Sequence, residues 1–300
     1  MAARSLSGRV VVVTGGGRGI GAETTRALAA AGARVAIGDL DLVNAEHVAA
    51  AAGNGAIALR LDVTDRPGFS AFLDQVTERL GPIDVLVNNA GIMSLARIED
   101  EDDALTLRQL EINLHGVIHG TREAIRRMKP RGGGHIVNVA SSAGKGGFPG
   151  AATYCATKHG VVGFSEAVRG ELRGSGVEVS CVLPAIVRTE LAAGLGEARG
   201  VKSVDAADVA AAIVDALRRP RFEVYVPRSA GALTKFALVL PRPAREGLVR
   251  LLKADTVLLD SVGAPERDDY EKRAAASAPA LDEPEPPRRR QQGRPDRPGA

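Results

Sequence analysis

The chain has 300 residues, of which 45% are hydrophobic, 3% aromatic and none tryptophan. It is therefore long enough to bury a sizeable core, and that core must consist mainly of Val, Leu, Ile and Ala. The formal net charge is only +3, and much of the excess lies near the end of the chain, so the charge does not indicate a nucleic-acid partner.

Cysteine and histidine usage argues against metal and disulfide chemistry. Cys155 and Cys181 form neither a metal-spaced pair nor a disulfide framework, which is typical of a reduced interior. His115 and His119 are four residues apart but have no acidic partner at metal-site spacing, so no metal is predicted. No apolar run fits a signal peptide or approaches the ~20 residues of a membrane-spanning helix. We expect a cytoplasmic protein.

Short apolar runs alternate with helical patterns from the start of the chain to about residue 226. The strand-like runs are residues 10–13, 35–37, 56–61, 83–87, 135–139, 178–183 and 223–226. The helix-like segments are residues 19–31, 42–52, 67–80, 104–128, 153–173 and 205–218. Several strand runs lack polar alternation, as expected for strands covered on both faces. The pattern predicts an α/β fold with a doubly wound, parallel, seven-stranded sheet of Rossmann type and helices on both faces.

A glycine-rich turn follows the first strand and opens the first helix. Glycines permit a tight turn and let a pyrophosphate approach the backbone, and the helix N-terminus offers free N–H groups to that phosphate. A strand before the cluster and a helix after it favour a dinucleotide site over an ordinary glycine-rich loop. The residues assigned to this site are Thr14, Gly15, Gly17, Arg18, Gly19, Ile20 and Gly21.

Asp39 ends the second strand, about 20 residues beyond the glycines, where a carboxylate can accept hydrogen bonds from a ribose diol. It would repel a 2′-phosphate, so NAD is favoured over NADP. Arg18 complicates this choice because a basic residue in the loop could receive that phosphate, whereas Leu40 offers no such help. The alternative is that Asp39 is an ordinary turn aspartate.

Tyr154 and Lys158 are four residues apart on a predicted helix, so both side chains can face one pocket. A free phenol, with a pKa near ~10, is a poor proton shuttle at neutral pH. A neighbouring cation stabilises the phenolate, so we expect Lys158 to lower the pKa of Tyr154. Such a pair taken alone is more often an ordinary surface pair.

Together, these motifs resemble those of the short-chain dehydrogenases/reductases, in their shorter, single-domain branch. The resemblance covers about residues 7 to 226, and the motifs occur in the family's order. The motifs that carry it are Gly15-x-x-x-Gly19-x-Gly21, Asp62-Val63, Asn88-Asn89-Ala90-Gly91, Asn113, Ser141, Tyr154-x-x-x-Lys158 and Pro184.

The resemblance implies a role for each matching residue. Tyr154 is expected to be the general acid/base, and Ser141 to hydrogen-bond the same substrate oxygen. Lys158 is expected to hold the nicotinamide ribose and keep the phenol acidic, and Asn113 to support a water chain. On the coenzyme, the resemblance implies that Asp62-Val63 and the stretch Asn89-Ala90-Gly91 hold the adenine side. Pro184, Val187 and Thr189 are expected near the nicotinamide carboxamide.

The function implied is that of an NAD-dependent oxidoreductase that interconverts a secondary alcohol and a ketone. Apolar residues near the expected pocket favour an apolar small-molecule substrate. They are Met93, Leu95, Phe148, Ile186, Leu191 and Leu195. A homodimer or homotetramer through the two long helices is expected. The alternatives are an NADP-dependent carbonyl reductase and a non-catalytic, dinucleotide-binding redox sensor.

Three parts are predicted along the chain. Residues 1–227 form the Rossmann-type dehydrogenase domain, 228–263 a Leu-rich helical extension, and 264–300 a disordered tail rich in Pro, Ala, Glu and Arg. The extension either packs over the substrate mouth or a neighbouring subunit, or lays its Leu stripe and basic flanks on a membrane. The second possibility places a peripheral membrane contact in residues 240–260.

Overall fold

The computed structural model describes residues 3–196 and 203–277. Its main sheet has seven parallel strands in the order β3-β2-β1-β4-β5-β6-β9, and β7 pairs with β8 beside it. The strands are β1 (Val10–Thr14), β2 (Arg34–Asp39), β3 (Ile57–Arg60), β4 (Val85–Asn88), β5 (Gly134–Val139), β6 (Val177–Pro184), β7 (Val187–Arg188), β8 (Val204–Asp205) and β9 (Glu223–Val226). The predicted parallel, seven-stranded sheet is confirmed.

Ten α-helices lie within the described residues. They are α1 (Gly19–Ala30), α2 (Leu42–Ala52), α3 (Arg66–Leu80), α4 (Asp103–Leu110), α5 (Gly116–Met128), α6 (Ala152–Glu171), α7 (Ala206–Arg218), α8 (Arg228–Val239), α9 (Arg242–Leu251) and α10 (Asp268–Ala276). The predicted helix over 104–128 is α4 and α5 joined by a single π-helical turn, Glu111–His115. None of these helices combines the length and apolar character needed to cross a membrane.

The core consists of two layers, one on each face of the sheet. Val11 and Val13 of β1 pack in one layer with Leu28 of α1. Val10 and Val12 pack in the other with Phe69 of α3. Successive side chains of a strand point to opposite faces, so a strand covered on both faces needs apolar residues at every position. This explains the uninterrupted valine run.

The prediction of a disordered tail from residue 264 is wrong for residues 264–277. A 3₁₀ turn, Pro265–Arg267, leads into α10. Composition misled the prediction because this segment has few apolar residues of its own and is held instead by the buried guanidinium of Arg267. The rest of the predicted tail, 278–300, lies outside the described residues. Between Pro227 and that turn, α8 and α9 form the predicted helical extension.

Candidate active site

One continuous cleft of about 440 Å³ lies at the carboxyl ends of the parallel strands, where open α/β sheets bind ligands. It runs from the glycine turn after β1 to Tyr154 on α6. Most of the residues assigned from the sequence line it: Gly15, Arg18, Gly19, Ile20, Asp39, Asp62, Val63, Asn89, Ala90, Gly91, Ser141, Tyr154, Lys158, Pro184, Val187 and Thr189. Thr14, Gly17, Gly21 and Asn113 support that lining.

Residues with a side chain could not replace the glycines of this turn without strain or collision. Gly15 and Gly19 have φ angles of 63° and 49°, in the region that favours glycine. A Cβ at Gly21 would lie 2.7 Å from Asn89 Nδ2 and closer still to the carbonyl oxygen of Gly15. No side chain caps the N-terminus of α1, so its first N–H groups stay available. This cradle fits a dinucleotide pyrophosphate.

Thr14 and Asn89 hold the ends of β1 and β4 together. The Thr14 hydroxyl oxygen accepts hydrogen bonds from the backbone N–H groups of Asn89 (3.0 Å) and Ala90 (3.1 Å). The Asn89 amide donates in return to the carbonyl oxygens of Thr14 and Gly15, both at 2.9 Å. These four bonds fix the turn behind the expected coenzyme position, so the two residues shape the cleft.

Asp39 and Arg18 are the acidic and basic side chains at the end of the cleft where the ribose is expected. The Asp39 carboxylate accepts hydrogen bonds from the backbone N–H of Gly17 (2.8 Å) and of Asp41 (3.0 Å). The Arg18 guanidinium pairs with Asp41 at 3.0 Å and with Glu190 at 3.2 Å. Hydrogen bonding to Asp41 is the main reason that the pKa of Arg18 is raised. Carboxylates therefore flank Arg18, the arginine of the glycine turn that could receive a 2′-phosphate.

Asp62 is held by a residue that sequence reasoning missed. Its carboxylate accepts hydrogen bonds from the Thr64 backbone N–H and hydroxyl at 2.9 and 2.7 Å, and Arg108 approaches it at 3.4 Å. Burial alone would raise the pKa of Asp62, but these partners outweigh it and the pKa is lowered. Arg108 is buried and also donates to Thr64. No short sequence motif contains it, because it lies 46 residues from Asp62.

At the other end of the cleft, Ser141, Tyr154 and Lys158 come together. Lys158 Nζ donates to the Val139 carbonyl oxygen at 3.1 Å and lies 5.6 Å from the centre of the Tyr154 ring. Burial lowers the pKa of Lys158 to about 8, because removal from water disfavours its charge. A lysine with this pKa can both carry and release a proton near neutral pH.

The expected lowering of the pKa of Tyr154 is wrong for the chain as described. Burial raises that pKa above its ordinary value, and the hydrogen bond with the Ser141 side chain opposes the effect without reversing it. The ammonium of Lys158 is directed to a backbone carbonyl instead of the phenol oxygen. The buried phenol is therefore neutral at pH 7.

Asn113 lies in the π-helical turn between α4 and α5 and is completely buried. Its side-chain amide both accepts from and donates to the backbone of Ile92, at 2.8 Å each way. A Cβ on Gly91 would lie 3.1 Å from Asn113 Oδ1 and 3.6 Å from Lys158 Nζ. Asn113 thus fixes the chain beside Gly91, and its amide oxygen and Lys158 Nζ both lie near the same point.

An apolar cluster surrounds Tyr154 and contains all six apolar residues expected from the sequence. Buried Met93, Leu95, Ala143, Cys155, Val257 and Leu258 form it with Tyr154, and Phe148, Ile186, Leu191 and Leu195 pack against it. Val257 and Leu258 belong to residues 228–263, the predicted Leu-rich extension, which one of the two alternatives placed over the substrate mouth. Tyr270 and Arg273, later in the chain, line the cleft as well.

Residues 9–200 match a family model described as "short chain dehydrogenase". The chain belongs to the short-chain dehydrogenase family. As a member, it is an oxidoreductase of the NAD(P)-binding kind that acts on CH–OH groups.

Individual members of the family agree with this assignment. Glycine betaine reductase ATRR from Emericella nidulans is 36% identical over 227 residues, which cover 72% of this chain but only 18% of that protein. The 3-alpha-(or 20-beta)-hydroxysteroid dehydrogenase of Mycobacterium tuberculosis is 38% identical over 186 residues, covering 62% of this chain and 72% of the relative. A crystal structure of a short-chain dehydrogenase/reductase from Burkholderia phymatum, in complex with NAD, matches with a TM-score of 0.71 and 27% identity. It covers 77% of this chain and 93% of that chain.

Proposed function

We propose that this short-chain dehydrogenase uses NAD to interconvert a secondary alcohol and a ketone on an apolar substrate. One observation carries the proposal: Ser141, Tyr154 and Lys158 meet at the apolar end of the same cleft that begins at the glycine turn. A bound nicotinamide supplies or accepts the hydride at this end. The apolar cluster around Tyr154 favours a substrate that is largely hydrocarbon.

In the reducing direction, the hydroxyls of Ser141 and Tyr154 hold the substrate carbonyl oxygen. As hydride reaches the carbonyl carbon, negative charge grows on that oxygen and both donors stabilise it. Tyr154 gives its proton to the oxygen and is left as a phenolate, which the nearby Lys158 ammonium stabilises. The raised pKa suits a phenol that stays neutral until the reaction draws its proton. Oxidation is the reverse transfer, in which the phenolate takes the proton from the alcohol. Tyr154 must therefore first lose its own proton, which its raised pKa disfavours in the chain as described.

The remaining assigned residues are proposed to hold the coenzyme. The N–H groups at the start of α1 meet the pyrophosphate, Asp62 and Val63 meet the adenine, and Val187 and Thr189 after Pro184 meet the nicotinamide amide. Asn113 and Lys158 are proposed to return protons to solvent through a water chain. The closeness of Asn113 Oδ1 and Lys158 Nζ to the same point beside Gly91 supports this pairing.

The choice of NAD over NADP rests on charge. A 2′-phosphate beside Asp39 would be repelled by the carboxylate, which already accepts hydrogen bonds from two backbone N–H groups. The Arg18 guanidinium would first have to leave Asp41 and Glu190. The rival, an NADP-dependent carbonyl reductase, depends on Arg18 making that change.

The test is a screen of alcohols and ketones with NAD(H) and NADP(H), following the absorbance of the reduced nicotinamide. Wild type is expected to use NAD(H), and Tyr154→Phe is expected to lose activity by a factor of about 10³ while binding NADH as before. Tyr225→Phe, which removes a hydroxyl outside the cleft, serves as the matched control. Full activity of Tyr154→Phe would reject the mechanism, and NADH binding without turnover of any substrate would favour the redox sensor.

A homodimer or homotetramer through α5 and α6 is proposed as the assembly. Gly163 and Gly170 on α6 have no heavy atom within 4 Å of a would-be Cβ, so a neighbouring helix could approach closely there. Light scattering of wild type and of Gly163→Leu tests this proposal. A smaller mass for the variant supports it, and a monomeric wild type rejects it.

Peripheral membrane contact is proposed through residues 240–260, which include α9, together with the adjoining end of α8. Phe236, Val239 and Leu251 are 57%, 78% and 68% exposed there. Arg245 and Arg250 on α9 supply the positive charge that anionic lipid attracts. Co-sedimentation with phosphatidylserine-containing vesicles should fall in the full chain carrying Arg245→Glu and Arg250→Glu. Equal sedimentation of the two proteins would reject the contact, and activity of both in solution is the control for folding.

A further inference from the structure

Residues 254–277, here called the C-terminal segment, are fastened to the substrate end of the cleft by one buried side chain. Arg267 is 0% exposed. Its guanidinium donates to the carbonyl oxygens of Leu191 (3.0 Å), Ala193 (3.2 Å) and Met93 (2.9 Å), and pairs with Glu271 at 2.9 Å. These bonds join the segment to two loops that both line the cleft. The segment is therefore a fixed part of the cleft wall.

Tyr270 projects from α10 into this wall. Its hydroxyl oxygen accepts a hydrogen bond from the Met93 backbone N–H at 2.7 Å, and the Arg267 guanidinium lies 5.3 Å from the centre of its ring. Both backbone groups of Met93 are thus bonded to the C-terminal segment. The Tyr270 side chain consequently has little freedom to move.

The hydroxyl of Tyr270 has a proton left to donate. Within residues 3–196 and 203–277, it makes no hydrogen bond as a donor, although it lines the cleft. Burial raises the pKa of Tyr270 to about 12, so the group keeps its proton at neutral pH. Besides burial, repulsion between the two ionised phenols is one cause of the raised pKa of Tyr154, so the two side chains are close enough to interact. Tyr270 is only part-buried and faces the cleft, so water can accept this proton until a ligand oxygen takes its place.

The two arginines of the C-terminal segment are already paired. Arg267 is occupied by Glu271 and three carbonyl oxygens, and Arg273 pairs with Glu190 at 2.7 Å. A carboxylate or phosphate on the substrate would therefore have to displace an existing partner. The cluster around Tyr154 is otherwise apolar. An uncharged oxygen is the acceptor that suits this position.

We propose that Tyr270 positions the substrate by donating a hydrogen bond from its phenolic hydroxyl to a neutral oxygen remote from the reacting carbon. This inference rests on the proposed function and narrows its substrate class to apolar ketones and alcohols with a second, uncharged oxygen. Ser141 and Tyr154 bind the reacting oxygen, and Tyr270 binds the second one. Two fixed points set the direction in which an apolar skeleton lies in the cleft.

The experiment compares Tyr270→Phe with wild type on 4-phenylcyclohexanone and on its three methoxyphenyl derivatives. These carry the ether oxygen at the ortho, meta or para position of the phenyl ring. The phenylalanine keeps the ring against Arg267 and removes only the hydroxyl. Wild type is expected to reduce at least one methoxy isomer with a kcat/KM about 10-fold above that of the parent ketone. In Tyr270→Phe this ratio is expected to fall to about 1, while the parent ketone changes little.

The ratio separates positioning from a structural role. The variant also deprives the Met93 N–H of its acceptor, but any resulting disorder would lower kcat/KM for all four ketones alike. Tyr225→Phe is the matched control and should keep the wild-type ratio. A wild type without preference, an unchanged ratio in Tyr270→Phe, or an equal loss on all four ketones overturns the inference and leaves the proposed function standing. A wild type that reduces none of them with either coenzyme overturns the proposed function, and the inference with it.

Discussion

At the expected coenzyme end of the cleft, glycines and polar side chains bonded to backbone set the shape, whereas long side chains of the C-terminal segment hold the wall at the expected substrate end. Gly17 bonds Asp39 across 22 residues of sequence, but Arg267 and Tyr270 reach Met93 across 174 and 177. A glycine turn tolerates few replacements, because a Cβ would collide with backbone. A wall built from side chains can change residue by residue while the fold is kept. One scaffold can therefore hold a constant coenzyme and accept different substrates.

The largest effect is expected from Arg267→Met, which removes the donor for three carbonyl oxygens. Each buried group left without a partner costs about 1–3 kcal/mol, so the docked state of the C-terminal segment should lose about 4 kcal/mol. The ketone KM should rise while NADH affinity stays nearly constant. Hydrogen exchange of the α10 amides is the direct measurement.

Arg273→Gln is the control for this variant, because it removes an exposed ion pair with Glu190 that contributes under about 1 kcal/mol. If the α10 amides of Arg267→Met exchanged as slowly as those of wild type, the substrate end would not depend on this side chain. The contrast between the two ends would then fail.

Lys158→Met should abolish activity, and its stability relative to wild type should be more favourable at pH 7 than at pH 10. The loss of the hydrogen bond to the Val139 carbonyl oxygen opposes this gain. Burial lowers the pKa of Lys158 from 10.5 to about 8, which corresponds to about 3 kcal/mol of destabilisation. This cost is fully present below pH 8, where the lysine is charged in both states. It disappears as pH rises from 8 to 10.5, because the unfolded chain then holds the proton that the folded chain has released.

Urea unfolding at pH 7 and at pH 10 measures this difference. The advantage of Lys158→Met over wild type should shrink at the higher pH, and exposed Lys129→Met should show no such change. A constant difference across the two pH values would contradict burial as the source of the shift.

Gly150→Ala should weaken the docking of the C-terminal segment. Gly150 has φ of 84°, and a Cβ there would lie 2.8 Å from the Leu259 Cα. The strain and the collision should cost about 2 kcal/mol and raise the ketone KM, since Leu258 must move. Gly147→Ala in the same loop meets no atom within 4 Å and is the control. Equal KM values for the two variants would mean that the segment does not need this close approach.

The smallest effect is expected from Asp39→Asn, which removes one charge and keeps an oxygen that can accept. The ratio of kcat/KM for NAD over NADP should fall about 10-fold. Arg18→Gln tests the rival assignment, because it should leave NADP activity low and unchanged if Arg18 remains paired with Asp41 and Glu190. If wild type has strong NADP activity and Arg18→Gln loses it, the coenzyme preference proposed here is reversed.

The fold and the glycine turn could be predicted because local rules determine them. A valine run covered on both faces predicts a buried parallel strand, and the turn needs glycine wherever φ is positive or a Cβ would collide. Tyr154 and Lys158 could be paired because four residues make one helical turn. In each case, the cause lies within a short stretch of chain.

Arg267 and Tyr270 could not be predicted in this way. The helix α10 has nine residues, too few to be stable alone, and its sequence has the composition of a disordered tail. It forms because Arg267 finds carbonyl oxygens from loops far away in sequence. The direction of the pKa shift of Tyr154 was also out of reach, because it depends on how completely the folded chain excludes water from the phenol.

Glu190 is a carboxylate with two arginine partners, Arg18 at 3.2 Å and Arg273 at 2.7 Å, and it links the first helix region to the last. These side chains are 45–54% exposed, so dissolved ions reach them. At physiological ionic strength, dissolved ions screen charges separated by more than about 8 Å. This screening weakens as salt is removed. Arg18 is therefore held more firmly in dilute buffer. Coenzyme discrimination measured there should exceed the discrimination at the ionic strength of a cell.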